Sequence, residues 1–139
     1  MRRVVCDVGV IISGLLSGGG PPGRLLDRWR DGVFDLIASP LWLAELEHVL
    51  ERPKIARYLE PGEAAAVLAA VRLQAEWAED PPTQTALTPD PGDDYLVSLA
   101  QATDADYLVS GDAHVTGLEN ARPPVLTPRQ FEELLGPTD

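Results

Sequence analysis

An aspartate interrupts one of the most apolar stretches of the chain. Val4, Val5 and Cys6 precede Asp7, and Val10, Ile11 and Ile12 follow it. A run that is β-branched and apolar on both faces suits a strand covered on two sides, as in a parallel sheet. A carboxylate is costly to bury there without a partner. Asp7 is therefore expected at the end of a buried strand, facing something that justifies its charge.

The rest of the chain repeats this alternation. Ser17 to Gly23 is a glycine- and proline-rich loop. The helix after it places Leu25, Leu26 and Trp29 on one face, with Arg24, Arg28 and Arg30 elsewhere. Val33–Ala38 is a second strand, closed by Ser39-Pro40, a cap residue followed by proline at the first helical position. Helices are predicted from Leu41 to Glu51, from beyond Gly62 as far as Trp77, and from Asp93 to Thr103. Strands are predicted at Tyr107–Ser110 and Val125–Leu126, with a terminal helix from Pro128. Strands interleaved with helices imply an α/β fold, a three-layer α/β/α sandwich with a central, mostly parallel sheet, forming one domain over residues 1–139.

Composition limits what such a domain can do. The net charge of −11, with only 11 basic side chains, excludes a protein that coats nucleic acid. A single cysteine, Cys6, forms no internal disulfide, and beside only His48 and His114 it makes no zinc site. Any metal must be held by oxygen. No apolar run approaches the ~20 residues that span a bilayer, and the first residues form no secretory h-region, so a cytoplasmic location without membrane contact is expected.

In a parallel sheet the ligand site lies outside the carboxyl ends of the strands. Asp7 ends the first strand, Asp112 follows the third, and Asp93 lies in the first turn of the helix preceding that strand. Glu45 is a fourth candidate, because Leu41 and Val49 flank it on an otherwise apolar helix face. Carboxylates gathered on one rim repel one another unless a cation sits among them. Mg²⁺ or Mn²⁺ suits oxygen donors and, with its bound water, suits in-line attack on a phosphodiester. Each acid also has a plain structural reading. Asp90 and Asp93 fit a helix start, Asp112 fits a turn, and Glu45 fits a solvated helix face. Four such readings must hold together for the cluster to mean nothing.

Three stretches resemble the PIN domain family of metal-dependent nucleases, which includes the toxin ribonucleases of bacterial toxin–antitoxin pairs. They are Val5 to Val10, Ser39 through Leu46 and on to Lys54, and Asp90 through Asp112. The resemblance implies that Asp7, Glu45, Asp93 and Asp112 bind metal and that Ser110 supports the last acid or the substrate. Asp94 is an alternative to its neighbour Asp93. It further implies Mg²⁺ or Mn²⁺, endoribonuclease activity on RNA, a homodimer, and a small antitoxin chain that blocks the site. The sequence departs from the family pattern at Val8 and Gly9, where hydroxyl or amide side chains are usual, at Gly92, where some relatives have another aspartate, and at His114, where a further acid is common.

A phosphorelay receiver would need a late lysine, whereas the only one is Lys54. A haloacid-dehalogenase-type phosphatase would need an aspartate where Gly9 stands, and Gly18-Gly19-Gly20 lacks dinucleotide-binding spacing. The remaining competitor is a PIN-like module that binds RNA or a protein without turnover. For RNA contact, Arg24, Arg28, Arg30, Arg52, Lys54 and Arg57 are candidate rim residues. Trp29, Trp42 and Tyr58 are candidate interface residues.

Overall fold

In the computed structural model, which describes residues 1–85, 87–118 and 121–137 and the backbone alone of His114, the chain begins with β1 (Arg3–Cys6) and turns at once into α1 (Val8–Leu16). This corrects the expected strand at Val10–Ile12. A short apolar run can be a buried helix as readily as a buried strand. Here Asp7 decides between them by taking the N-cap position, its Oδ1 accepting a hydrogen bond from the Gly9 N–H at 3.0 Å. Val8, Val10, Ile11 and Ile12 are buried on the resulting helix.

α2 (Pro21–Arg30) packs closely against α1 and leads into β2 (Asp35–Ala38). Ser39 then caps α3 (Pro40–Glu51), accepting from the Trp42 N–H at 3.2 Å, as the Ser-Pro pair predicts. One turn, α4 (Pro53–Ala56), precedes α5 (Glu63–Gln74). The expected helix to Trp77 stops early, because Ala75 is extended (φ −68°, ψ 152°) and Glu76–Trp77 form β3 beside Ile37 and Ala38. Arg3 fixes that edge, its Nε donating to Glu76 at 2.9 Å. After the connector, a 3₁₀ turn (Pro91–Asp93) opens α6 (Asp94–Ala102). β4 (Tyr107–Val109), α7 (Ala113–Thr116), β5 (Val125–Leu126) and α8 (Pro128–Leu135) follow.

All strand pairs are parallel, in the order β3-β2-β1-β4-β5, with helices flanking the sheet. This is the α/β architecture expected from the alternating pattern, with one edge strand more. The buried core joins the sheet to its helices through Val4, Val5, Leu36, Ile37, Leu108 and Val109, with Leu46, Leu96 and Leu99 from the helices. Phe34 and Phe131 meet edge to face, with ring centroids 5.0 Å apart. Trp29 and Trp42, expected as interface candidates, are core residues instead. Trp42 can be buried completely because its indole N–H donates to the Cys6 carbonyl at 2.6 Å.

Candidate functional site

The sheet order changes direction at β1, from which the chain crosses first to β2 and later to β4 on the other side. Residues leaving the carboxyl ends of β1 and β4 therefore emerge side by side. Cys6 is in register with Val109, and the Asp7 N–H continues the ladder to the Val109 carbonyl at 2.8 Å. The next pair is Asp7 and Ser110. The Ser110 hydroxyl, fully buried, donates to Asp7 Oδ2 at 3.0 Å and accepts from the Asp112 N–H at 3.0 Å. One hydroxyl thus fixes the first carboxylate and the loop that carries the last.

Asp93 arrives from a different direction. Asp90 opens the 3₁₀ turn by accepting from the Gly92 N–H at 2.9 Å, and Asp93 stands at the N-cap of α6 without capping it through its side chain. Its carboxyl group instead turns to the strand ends. One oxygen each from Asp7, Asp93 and Asp112 lies within 4.8 Å of the others, the only such three-donor group among the described residues. The Asp93 Oδ2 is buried there without a hydrogen-bond partner. Burial first, and then the charges of Asp112, Asp7 and Asp90 and a hydrogen bond with Asp112, push the Asp93 pKa up to about 6.

An orphaned carboxylate oxygen among acidic neighbours is what a hard divalent ion relieves. All three donors are oxygen, and they are gathered within 4.8 Å of one another around one point. The donor set fits Mg²⁺ or Mn²⁺ and fits zinc poorly. Beside the acids lies a cleft of about 290 Å³, bounded by Gly9, Ser13, Pro22 and Pro128 together with Asp7 and Asp112.

Glu45 lies on α3 outside the three-oxygen group, though near enough to Asp7 for the two charges to interact. Its Oε2 accepts a hydrogen bond from the Tyr95 hydroxyl. Burial pushes the Glu45 pKa upward, and Tyr95 and Arg52 pull it partly back. Tyr95 has no signature in the sequence, being one aromatic in a helical run. Asp94 is buried and accepts the Thr88 N–H at 2.9 Å, so it anchors the preceding connector and is not among the clustered donors. The His114 side chain lies outside the described residues.

The basic residues separate into two groups. Arg24 pairs with Glu132, and Arg28 is buried, donating to the Gly136 carbonyl at 2.6 Å, so both tie α2 to the C-terminal segment and neither forms a rim. Arg30, Arg52, Lys54 and Arg57 are exposed.

Comparison with known proteins agrees with this geometry. Residues 3–114 match the PIN domain family. The chain belongs to that family. PIN domains are typically metal-dependent nucleases, and the Asp7, Asp93 and Asp112 cluster is consistent with such an active site. The fold is similar to that in the crystal structure of PAE2754 from Pyrobaculum aerophilum, with a TM-score of 0.64 over 97% of this chain and 89% of that one. At 14% identity that likeness concerns the fold alone. No curated protein matches the sequence. Among the described residues of this PIN domain, no helix is long and apolar enough to cross a membrane.

Proposed function

We propose that this PIN domain is a metal-dependent endoribonuclease and the toxin component of a toxin–antitoxin pair, acting as a homodimer that a small antitoxin chain inhibits. The observation that carries the nuclease reading is the buried, unpartnered Asp93 Oδ2 beside Asp7 and Asp112. Asp7, Asp93 and Asp112 hold the ion. A bound Mg²⁺ or Mn²⁺ supplies a Lewis acid and a water acidic enough to attack a phosphodiester near neutral pH. Ser110 keeps Asp7 and the Asp112 loop in fixed relation, so the donor set is formed before substrate arrives. Glu45, held by Tyr95, orients water or supports a second ion at the edge of the cluster. The toxin assignment is supported by the sequence resemblance, and the acidity of the chain suits a basic partner.

Calorimetric titration with Mn²⁺ of wild type and Asp7→Asn, alongside cleavage of a mixed RNA pool, tests the proposal. Saturable binding and metal-dependent cleavage, both lost in the variant, are expected. Binding without cleavage would favour a module that holds RNA or a partner without turnover, and no binding would overturn the assignment of the acids.

A further inference from the structure

We propose that the turn following α3 is a binding lip for single-stranded RNA, in which Tyr58 stacks a base while Lys54 and Arg57 hold the adjoining phosphates. The inference rests on the nuclease reading and assigns that site a direction along which its substrate runs. Residues 52–57 contain three of the chain's 11 basic side chains, including its only lysine, in a protein of net charge −11. Elsewhere Arg3, Arg24 and Arg72 are each neutralised by a glutamate. Among the described residues, Arg52, Lys54 and Arg57 have no carboxylate within salt-bridge distance, although all three are exposed. The turn thus presents three exposed basic side chains that make no ion pair among the described residues, with Glu51 and Glu60 at its two ends.

An aromatic face completes the patch. Tyr58 is 65% exposed, and the Arg57 guanidinium lies over its ring, 4.8 Å from the centroid. A cation beside a solvent-facing ring is how sequence-tolerant single-strand sites combine backbone attraction with stacking. The platform is also rigid. Pro53 starts the turn, the Ile55 and Ala56 N–H groups donate to the Arg52 carbonyl at 2.9 and 2.8 Å, and Ile55 and Leu59 pack on the core. Little order has to be created when a strand docks.

Position connects the lip to the acids. Arg52 caps the C-terminus of α3, two helical turns and ~10 Å along the axis from Glu45. Its charge is felt at Glu45, which in turn interacts with Asp7. On the proposed path a strand whose phosphate enters the acidic cluster would run past Glu45 and Arg52 toward Tyr58. Paired bases cannot offer a face to that ring, which favours single-stranded RNA over duplex.

Fluorescence anisotropy of a short labelled single-stranded RNA, titrated with full-length protein in EDTA across a salt series, tests the lip without cleavage. Tyr58→Ala is expected to weaken binding roughly 10-fold or more, and Tyr58→Phe to retain it. Lys54→Ala combined with Arg57→Ala is expected to reduce the slope of log affinity against log salt by about 1.4. Duplex RNA is expected to lose little with Tyr58→Ala. Equal losses for Tyr58→Ala and Tyr58→Phe, an unchanged salt slope, or variants that alter only self-association in sedimentation would each overturn the lip. Mn²⁺-dependent hydrolysis of a small activated phosphodiester, which has no base to stack, reports on the acids alone. Its absence with lip binding intact would refute the nuclease reading, and its presence with unaltered RNA binding in the variants would refute only the lip.

Discussion

Replacing Asp93 by asparagine is expected to stabilise the metal-free protein while abolishing its response to metal. In the folded chain the Asp93 carboxyl titrates near 6 instead of the ordinary 3.8. Between those values the folded state binds more protons than the unfolded state, so stability falls as pH rises through the window, and the whole cost is present above it. At 1.36 kcal/mol per pH unit the shift corresponds to at most ~3 kcal/mol, and solvent screening around a partly open cluster reduces this to about 1–2 kcal/mol. Asparagine carries no charge and can donate to Asp7 or Asp112. In EDTA at about pH 8 the variant should melt roughly 4–8 °C above wild type, and at about pH 4 the difference should vanish. Mn²⁺ should reverse the order, because a ligand present at 100 times its Kd adds about 2.7 kcal/mol to wild type alone. Differential scanning fluorimetry over pH, with and without Mn²⁺, measures all four conditions. A lower melting temperature for Asp93→Asn in EDTA at pH 8, or a gain independent of pH, would refute the reasoning. Asp93 would then be a helix-start residue and Asp94 the donor to examine.

Ser110→Ala removes the donor to Asp7 Oδ2 and the acceptor of the Asp112 N–H. Mn²⁺ affinity by calorimetry should fall about 10- to 100-fold. Tyr95→Phe deletes the hydrogen bond that lowers the Glu45 pKa, so carbon-detected NMR titration should find Glu45 protonated at higher pH than in wild type. Gly23→Ala would place a Cβ 2.4 Å from the Gly18 carbonyl oxygen, a backbone atom that cannot swing aside. Urea denaturation should record a loss of about 1–3 kcal/mol.

The acids differ in how far their roles can be read from sequence, for physical reasons. Asp7 stands out because it interrupts a β-branched run, where a charge has no packing role, whereas Asp112 after Ser110-Gly111 also reads as a turn residue and gains meaning only from its place beyond the third predicted strand. Asp93 is ambiguous in sequence, since an acid after Asp-Pro-Gly is also good helix-start grammar. Only its orientation distinguishes the cases, with Asp90 taking the capping hydrogen bond and Asp93 left over. The Glu45–Tyr95 pair spans two helices, and nothing local to either residue announces the other. β3 is hidden for a similar reason. Glu76–Trp77 is too short for periodicity, and it is a strand because the edge of β2 accepts it. Helix α1 was masked by its own burial, since a helix apolar nearly all round has no stripe to set its period.

Gly9 offers the sharpest test of whether this PIN domain turns over RNA as it stands. The family resemblance implies a hydroxyl or amide side chain just after the first acid, and this chain has Val8 and Gly9 there. Val8 is buried, whereas Gly9 is exposed at the cleft beside Asp7. A Cβ added at Gly9 would lie 3.6 Å from Asp7 Oδ1, an ordinary contact, so the backbone that binds Asp7 leaves room for a side chain. Serine there also costs less chain entropy than glycine within α1 and should leave folding unharmed or slightly improved. One added hydrogen bond to water or phosphate contributes about 0.5–1.5 kcal/mol, so Gly9→Ser should raise metal-dependent RNA cleavage roughly two- to tenfold. Single-turnover rates at saturating Mn²⁺ measure this without interference from product release. An unchanged rate with unchanged Mn²⁺ affinity would mean that the missing side chain does not limit the chemistry. An active Gly9→Ser against an inert wild type would place the chain among PIN modules that lost turnover through this one position.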